Sequence, residues 1–192
     1  QRSIVAPTVT STTVSACQGT SATLSVQNPQ QGIIYKWYLA GVYQNGKDGI
    51  TFITDPALAA GVYEYAVSAN ANGCETVKVK VMVTILAPPA PPVLSSTNPA
   101  STCINSPTAL TVVPVAGNTY NWYDAPVNGN MLVANNSSFV TSASLPAGTY
   151  DYYVEAVNAN GCSNPTRTKA SITVFPAALA SDITVAGNTA LC

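Results

Sequence analysis

The chain has 192 residues, 47% apolar and 8% charged, with no histidine, five cysteines and a net charge of −1. Its seven Lys and Arg are dispersed, which argues against nucleic acid, where clustered cations must meet phosphates. No apolar run reaches the ~20 residues of a membrane helix, so direct membrane insertion is not expected, and without histidine there is no His-based Ser or Cys triad.

In chain order, the first β-rich run after Cys17 contains Leu24-Ser-Val26. Ile33-Ile-Tyr-Lys-Trp-Tyr38 follows, where alternation puts Tyr35 and Trp37 on one face and Lys36 and Tyr38 on the other. Ile50-Thr-Phe-Ile53 is a short strand, and Val62 to Ala69 a longer one with Tyr63, Tyr65 and Val67 inward. Asn72-Gly73 then marks a hairpin, because Asn-Gly suits two successive positive φ angles. The last strand runs from Thr76 to Ile85, with Val77, Val79, Val81, Val83 and Ile85 alternating with Lys78, Lys80, Met82 and Thr84.

The same series then recurs. Leu110-Thr-Val112, Thr119 to Tyr123, Ser138-Phe-Val140, Thr149 to Ala156, Asn160-Gly161 and a final strand with Ala170, Ile172 and Val174 inward reproduce it. The offsets 103−17 = 86, 122−37 = 85 and 162−74 = 88 define one repeated unit. Cys192 lies 192−103 = 89 residues past Cys103, so a third copy is expected to begin there, and the chain reads as a window of a longer array. The segment Gln1 to Pro7 lacks the apolar core of a signal peptide.

The expected division is module 1 over 1–87, a proline-rich linker over 88–92, module 2 over 93–176, and a linker with a truncated third module over 177–192. Leu86-Ala-Pro-Pro-Ala-Pro-Pro92 should favour polyproline II and resist bending, holding the modules end to end. Six or seven strands per module and a Cys, Trp, Cys order predict an all-β fold of tandem immunoglobulin-like β-sandwiches.

Two cysteines at matching places, with no Cys-x-x-Cys and no histidine, predict one bridge inside each module: Cys17 with Cys74, and Cys103 with Cys162. Cys192 would lack an intramodule partner. Zinc would need four ligands at finger spacing, calcium an Asp-rich loop, and nucleotide a Gly-x4-Gly-Lys phosphate loop; none is present, so no metal and no cofactor is expected. Disulfides place the chain outside the cytoplasm.

Candidate sites are few. Glu64, Asp151 and Glu155 could serve a glycosidase pair, but they fall on outward strand positions and read as a solvated face. Lys78, Lys80, Arg167 and Lys169 form a repeated basic stripe, either for an acidic surface polysaccharide or, through pairing with those carboxylates, as protection of a sheet surface. Tyr38 and Tyr123 point away from the core and are the candidates for ligand contact by stacking on sugar rings, cross-strand packing being the alternative. No catalytic residue is assigned.

The run Cys, Leu-x-Val, Tyr-x-Trp-Tyr, Gly-x-Tyr-x-Tyr-x-Val, Asn-Gly-Cys and a terminal alternating Val strand resembles the Ig-like repeats of large secreted surface proteins of Bacteroidetes, including gliding-motility adhesins. The resemblance covers both full modules. It implies a non-catalytic stalk or adhesin repeat at the cell surface, partnered by neighbouring Ig-like modules; the alternative is an accessory carbohydrate-binding module of a secreted enzyme. The second cysteine falls in the Asn-Gly turn instead of mid-strand, so neither the inter-sheet bridge nor the tyrosine corner of antibody-type domains follows from the resemblance.

Overall fold

A computed structural model describes residues 4–178. The expected start of a third copy, with Cys192, lies outside the described residues. The chain divides into two units, Gln1–Ala87 and Pro88–Cys192.

Unit 1 holds β1 (Thr8–Val9), β2 (Thr13–Cys17), β3 (Thr23–Gln27), β4 (Ile34–Leu39), β5 (Val42–Tyr43), β6 (Thr51–Ile53), β7 (Gly61–Ala71), β8 (Cys74–Glu75) and β9 (Val79–Leu86). One sheet has the order β1-β3-β6 and the other β2-β9-β7-β4-β5, with β8 hairpinned onto β7. β2 runs parallel to β9, pairing Cys17 with Leu86. All other pairs in this unit are antiparallel.

Unit 2 holds β10 (Ala100–Cys103), β11 (Ala109–Thr111), β12 (Asn118–Tyr123), β13 (Met131–Val133), β14 (Ser138–Val140), β15 (Gly148–Asn158) and β16 (Thr168–Phe175). Its large sheet is β10-β16-β15-β12-β13 and its small one β11-β14. Again the first long-sheet strand is parallel to the last, with Cys103 opposite Phe175. A single bridge, Leu94 to Val112, stands where β1 meets β3 in unit 1.

Each unit closes on its own core. In unit 1, Leu24 and Phe52 from the small sheet meet Trp37, Tyr65, Val67, Val81 and Val83 from the large one. In unit 2, Leu110 and Phe139 meet Trp122, Val154, Ala170 and Ile172. The alternation of the sequence decides this, because every second residue of β4, β7 and β9 faces the opposite sheet. Aromatic packing repeats across the gap: Phe52 lies 5.7 Å from Trp37 and 5.4 Å from Tyr65, and Phe139 lies 5.9 Å from Trp122 and 4.7 Å from Tyr152. Such pairs contribute ~0.5–1.5 kcal/mol beyond burial alone.

The buried polar atoms are satisfied in the same way in both copies. Trp37 Nε1 donates to Gly49 O at 2.9 Å and Trp122 Nε1 to Asn136 O at 3.0 Å. The buried hydroxyls of Thr54 and Thr141 accept from Ala22 N and Thr108 N, at 2.8 and 3.0 Å. These bonds matter because an unpaired buried donor costs ~1–3 kcal/mol.

One expectation needs revision here, and one open point is decided. Val77 is 76% exposed, because the final strand begins only at Val79. The segment between β8 and β9 leaves the ladder, with Thr76 Oγ1 accepting from Ala69 N at 3.0 Å. A tyrosine corner, which the resemblance left open, is present in both units. Tyr63 donates its hydroxyl to Ala59 O and Tyr150 to Pro146 O, each at 2.9 Å and four residues upstream.

Candidate functional site

The outer face of each large sheet carries the residues with candidate chemistry. Tyr38 and Tyr123 lie opposite the core-facing tryptophans, as alternation predicts, but they are only 6% and 8% exposed. Side chains of the same sheet cover them. In unit 1 the Tyr38 hydroxyl donates to Glu75 Oε1, which also accepts from Ser68 Oγ at 2.7 Å. Lys78 Nζ sits 3.6 Å from the Tyr38 ring centroid.

Unit 2 reaches the same end with different residues. The Tyr123 hydroxyl donates to Glu155 Oε1 at 2.7 Å, and the Arg167 guanidinium lies 3.3 Å from the Tyr123 ring centroid. Arg167 also pairs with Glu155 at 3.4 Å and donates to Ala125 O at 2.8 Å. A cation over an aromatic face is worth ~0.5–2 kcal/mol depending on desolvation. Each tyrosine therefore has its hydroxyl bonded and one ring face capped by a cation.

The electrostatics follow the geometry. Burial, then the bond to Glu75, pushes the Tyr38 hydroxyl above its ordinary pKa. Glu75 is held below the usual carboxylate range by the Tyr38 hydroxyl and then Ser68. Burial and the bond to Glu155 raise Tyr123 likewise. None of these groups is tuned toward neutral pH, where a general acid or base works best.

Two further charge pairs cross neighbouring strands. Lys80 meets Glu64 at 2.9 Å, and Lys169 meets Asp151 at 2.7 Å. Asp151 is held below its usual range by Lys169 and then Ser171, and Lys169 is raised in return by Asp151. The carboxylates that could have formed a glycosidase pair thus each have a cation partner. Among the described residues no group of three or more His, Cys, Asp or Glu could hold a metal ion. A groove of about 280 Å³ in unit 2, with Pro91, Val93, Val113, Val115 and Tyr120 in its walls, has no charged residue in its lining.

The cysteines do not form the bridges expected from the sequence. Cys74 is a free, exposed thiol, whereas Cys17, Cys103 and Cys162 are disulfide-bonded. The strand register excludes a bridge inside either module. Cys17 faces Leu86, beside the pair Gly61 and Ile85, while Cys74 faces Ala71, 71−61 = 10 residues along β7. In unit 2, Cys103 faces Phe175, next to the Gly148 and Val174 pair, while Cys162 O accepts from Asn158 N, 158−148 = 10 residues along β15. At ~3.3 Å per residue these separations are ~33 Å, and a disulfide needs Cα atoms within ~7 Å. Matching positions in two copies showed that the cysteines are equivalent, but not at which end of the sheet each one lies.

Residues with no motif complete the outer face. Glu75 was not singled out in the sequence, because it follows the turn cysteine and only the β8 hairpin turns it onto Tyr38. Asn164, 4% exposed, holds the gap before β16 by accepting from Ala156 N, the task of Thr76 in unit 1. The shared signal was the polar residue two places after each second cysteine.

A family described as "Ig-like domain CHU_C associated" matches residues 5–87 and again 88–176. No curated protein matches the sequence. Among solved structures, the chicken CNTN1 FN1-FN3 domains align with TM-score 0.50 and 12% identity over 90% of this chain and 67% of that one. The Clostridium thermocellum CbhA fibronectin(III)-like modules align with TM-score 0.46 and 14% identity, over 88% and 94%. At such identities the likeness concerns the fold alone.

Proposed function

Because the chain belongs to the CHU_C-associated Ig-like domain family, in two tandem copies, we propose that it is a non-catalytic structural or adhesive repeat of a long extracellular bacterial surface protein, as in the stalk of an adhesin used in gliding motility. The observation that carries this reading is the closure of the outer sheet face. In both units the candidate tyrosine is capped by a cation and bonded to a carboxylate. A stacking platform for sugar needs an open aromatic face, and a glycosidase needs two carboxyl groups free to flank one scissile bond. Disulfides at Cys17, Cys103 and Cys162 support an oxidising, extracellular setting.

One preparation tests the proposal. The chain is applied to a glycan array and to a panel of glycoside, ester and peptide substrates, beside Tyr38→Ala and Tyr123→Ala. Silence in both assays is expected. Glycan binding that disappears in either variant would replace the stalk with an accessory carbohydrate-binding module, and turnover of any substrate would defeat both readings.

A further inference from the structure

Asn72-Gly73 and Asn160-Gly161 occupy the same place in the two modules, 160−72 = 88 residues apart, yet the two turns are held differently. In module 2, Gly161 N donates to Asn158 O at 2.9 Å, and Asn158 Oδ1 accepts from Asn160 N and Cys162 N, each at 3.0 Å. In module 1 the turn is only two residues long, with Asn72 at φ +50° and Gly73 at φ +83° between the paired Ala71 and Cys74. Gly73 N meets no acceptor among the described residues, and both turn residues are exposed. The space beside Gly73 is open, since a Cβ built there would meet nothing within 4 Å.

We infer that Asn72 is a site of spontaneous deamidation, with water as the co-reactant, and that its conversion is a one-way chemical timer that uncovers Tyr38 in module 1. The nucleophile of this reaction is the backbone nitrogen of the next residue, and a glycine there lets it swing onto the side-chain carbonyl because no Cβ stands in the way. A nitrogen that already donates a hydrogen bond must first give that bond up. Gly161 N carries such a bond and Asn160 N a second one, so the module 2 turn should react more slowly by on the order of tenfold.

In the first step Gly73 N bonds to Asn72 Cγ, the bond from Cγ to the side-chain nitrogen breaks, and that nitrogen leaves as ammonia with the proton that Gly73 N gives up. Water then adds to either carbonyl of the resulting succinimide and breaks one of its two C–N bonds, leaving aspartate or isoaspartate at position 72 and releasing a proton. The isoaspartate form lengthens the main chain by a methylene, and a two-residue hairpin has no room for it. β8 is held to β7 only through the pairs Asn70 with Glu75 and Ala71 with Cys74, so the lengthened turn frees it. Glu75 leaves with β8, and the Tyr38 hydroxyl and Ser68 Oγ lose the carboxylate they share. In module 2 the matching carboxylate is Glu155 on β15 itself, which no turn carries.

The test ages the full chain in warm, mildly alkaline buffer and follows aspartate and isoaspartate at each Asn-Gly pair by peptide mass mapping. Position 72 should convert on the order of tenfold faster than position 160, and equal rates, or a stable Asn72, would overturn the site. In a second arm the Cys74 thiol is alkylated, the chain is treated with tetranitromethane, and nitration is read at Tyr38 and Tyr123. Nitration of Tyr38 should rise severalfold on ageing while that of Tyr123 stays level. Asn72→Gly keeps the turn but has no side chain to cyclise, so it should stay at the fresh level; conversion at Asn45-Gly46 is common to it and the parent and cancels. Asn72→Asp adds the charge without the methylene and should start at the fresh level as well. A rise of Tyr38 nitration in aged Asn72→Gly, or in fresh Asn72→Asp, would refute release through the lengthened turn.

Discussion

Ser68 and Glu75 in module 1 stand where Glu155 and Ser163 stand in module 2, by the offsets 155−68 = 87 and 163−75 = 88. The carboxylate has moved from one strand to another, yet in both cases it reaches the tyrosine hydroxyl. What the fold keeps is the satisfied hydroxyl and not the residue that satisfies it. A pH dependence follows for module 1. The folded pKa of Glu75 is depressed, so its contribution is present above the unfolded value of about 4.3 and is lost as pH falls through the lower folded value. Melting temperature followed by circular dichroism should drop across that acid range, and Glu75→Gln should flatten part of the drop; solvent screening keeps the effect modest, because Glu75 is exposed. An unchanged slope in Glu75→Gln would remove the Tyr38 bond from the account. Gly129 is a sharper case. A Cβ there would come within 2.6 Å of Ala125 N, in the turn where Asp124 Oδ1 accepts from Asn130 N at 2.7 Å. Gly129→Ala should destabilise module 2 by about 1–3 kcal/mol, read from its denaturant midpoint, and a neutral result would mean that the turn opens freely.

At the scale of strands, the long alternating runs were legible because burial has period two in a half-buried sheet. β7 and β15 extend the expected strands by one or two residues at each end. Asn72 and Gly73 take φ of +50° and +83°, the pair of left-handed residues that a two-residue hairpin requires. Position in a repeat could not show that β2 and β10 run parallel to the last strands, and the cysteine ends follow from that pairing. The tyrosine corners were half visible: Gly-x-Tyr could be read, but the acceptor is a backbone carbonyl with no side-chain signal. Tyr63→Phe and Tyr150→Phe each remove one hydroxyl donor and little volume. Each should lower the stability of its own module by about 0.5–1.5 kcal/mol in urea unfolding. A loss in the other module instead would show that the corner acts beyond its own sandwich.

For the whole molecule, each unit has its own core cluster and a single tryptophan in it. That composition lets fluorescence report the modules separately. Trp37 is fully buried, and truncating such a residue costs about 3–5 kcal/mol, a large share of the ~5–15 kcal/mol that a typical domain has. Trp37→Ala should therefore unfold module 1 at low denaturant or at rest. The Trp122 signal should keep its own transition, with its midpoint moved far less than that of module 1. Introduced singly into the otherwise unchanged chain, Trp37→Phe and Trp122→Phe should each leave one clean transition, and the two midpoints need not agree. Loss of the Trp122 transition together with module 1 would mean one cooperative unit, and with it a joint that transmits unfolding. Separate transitions would mean that one module can open and refold while its neighbour holds.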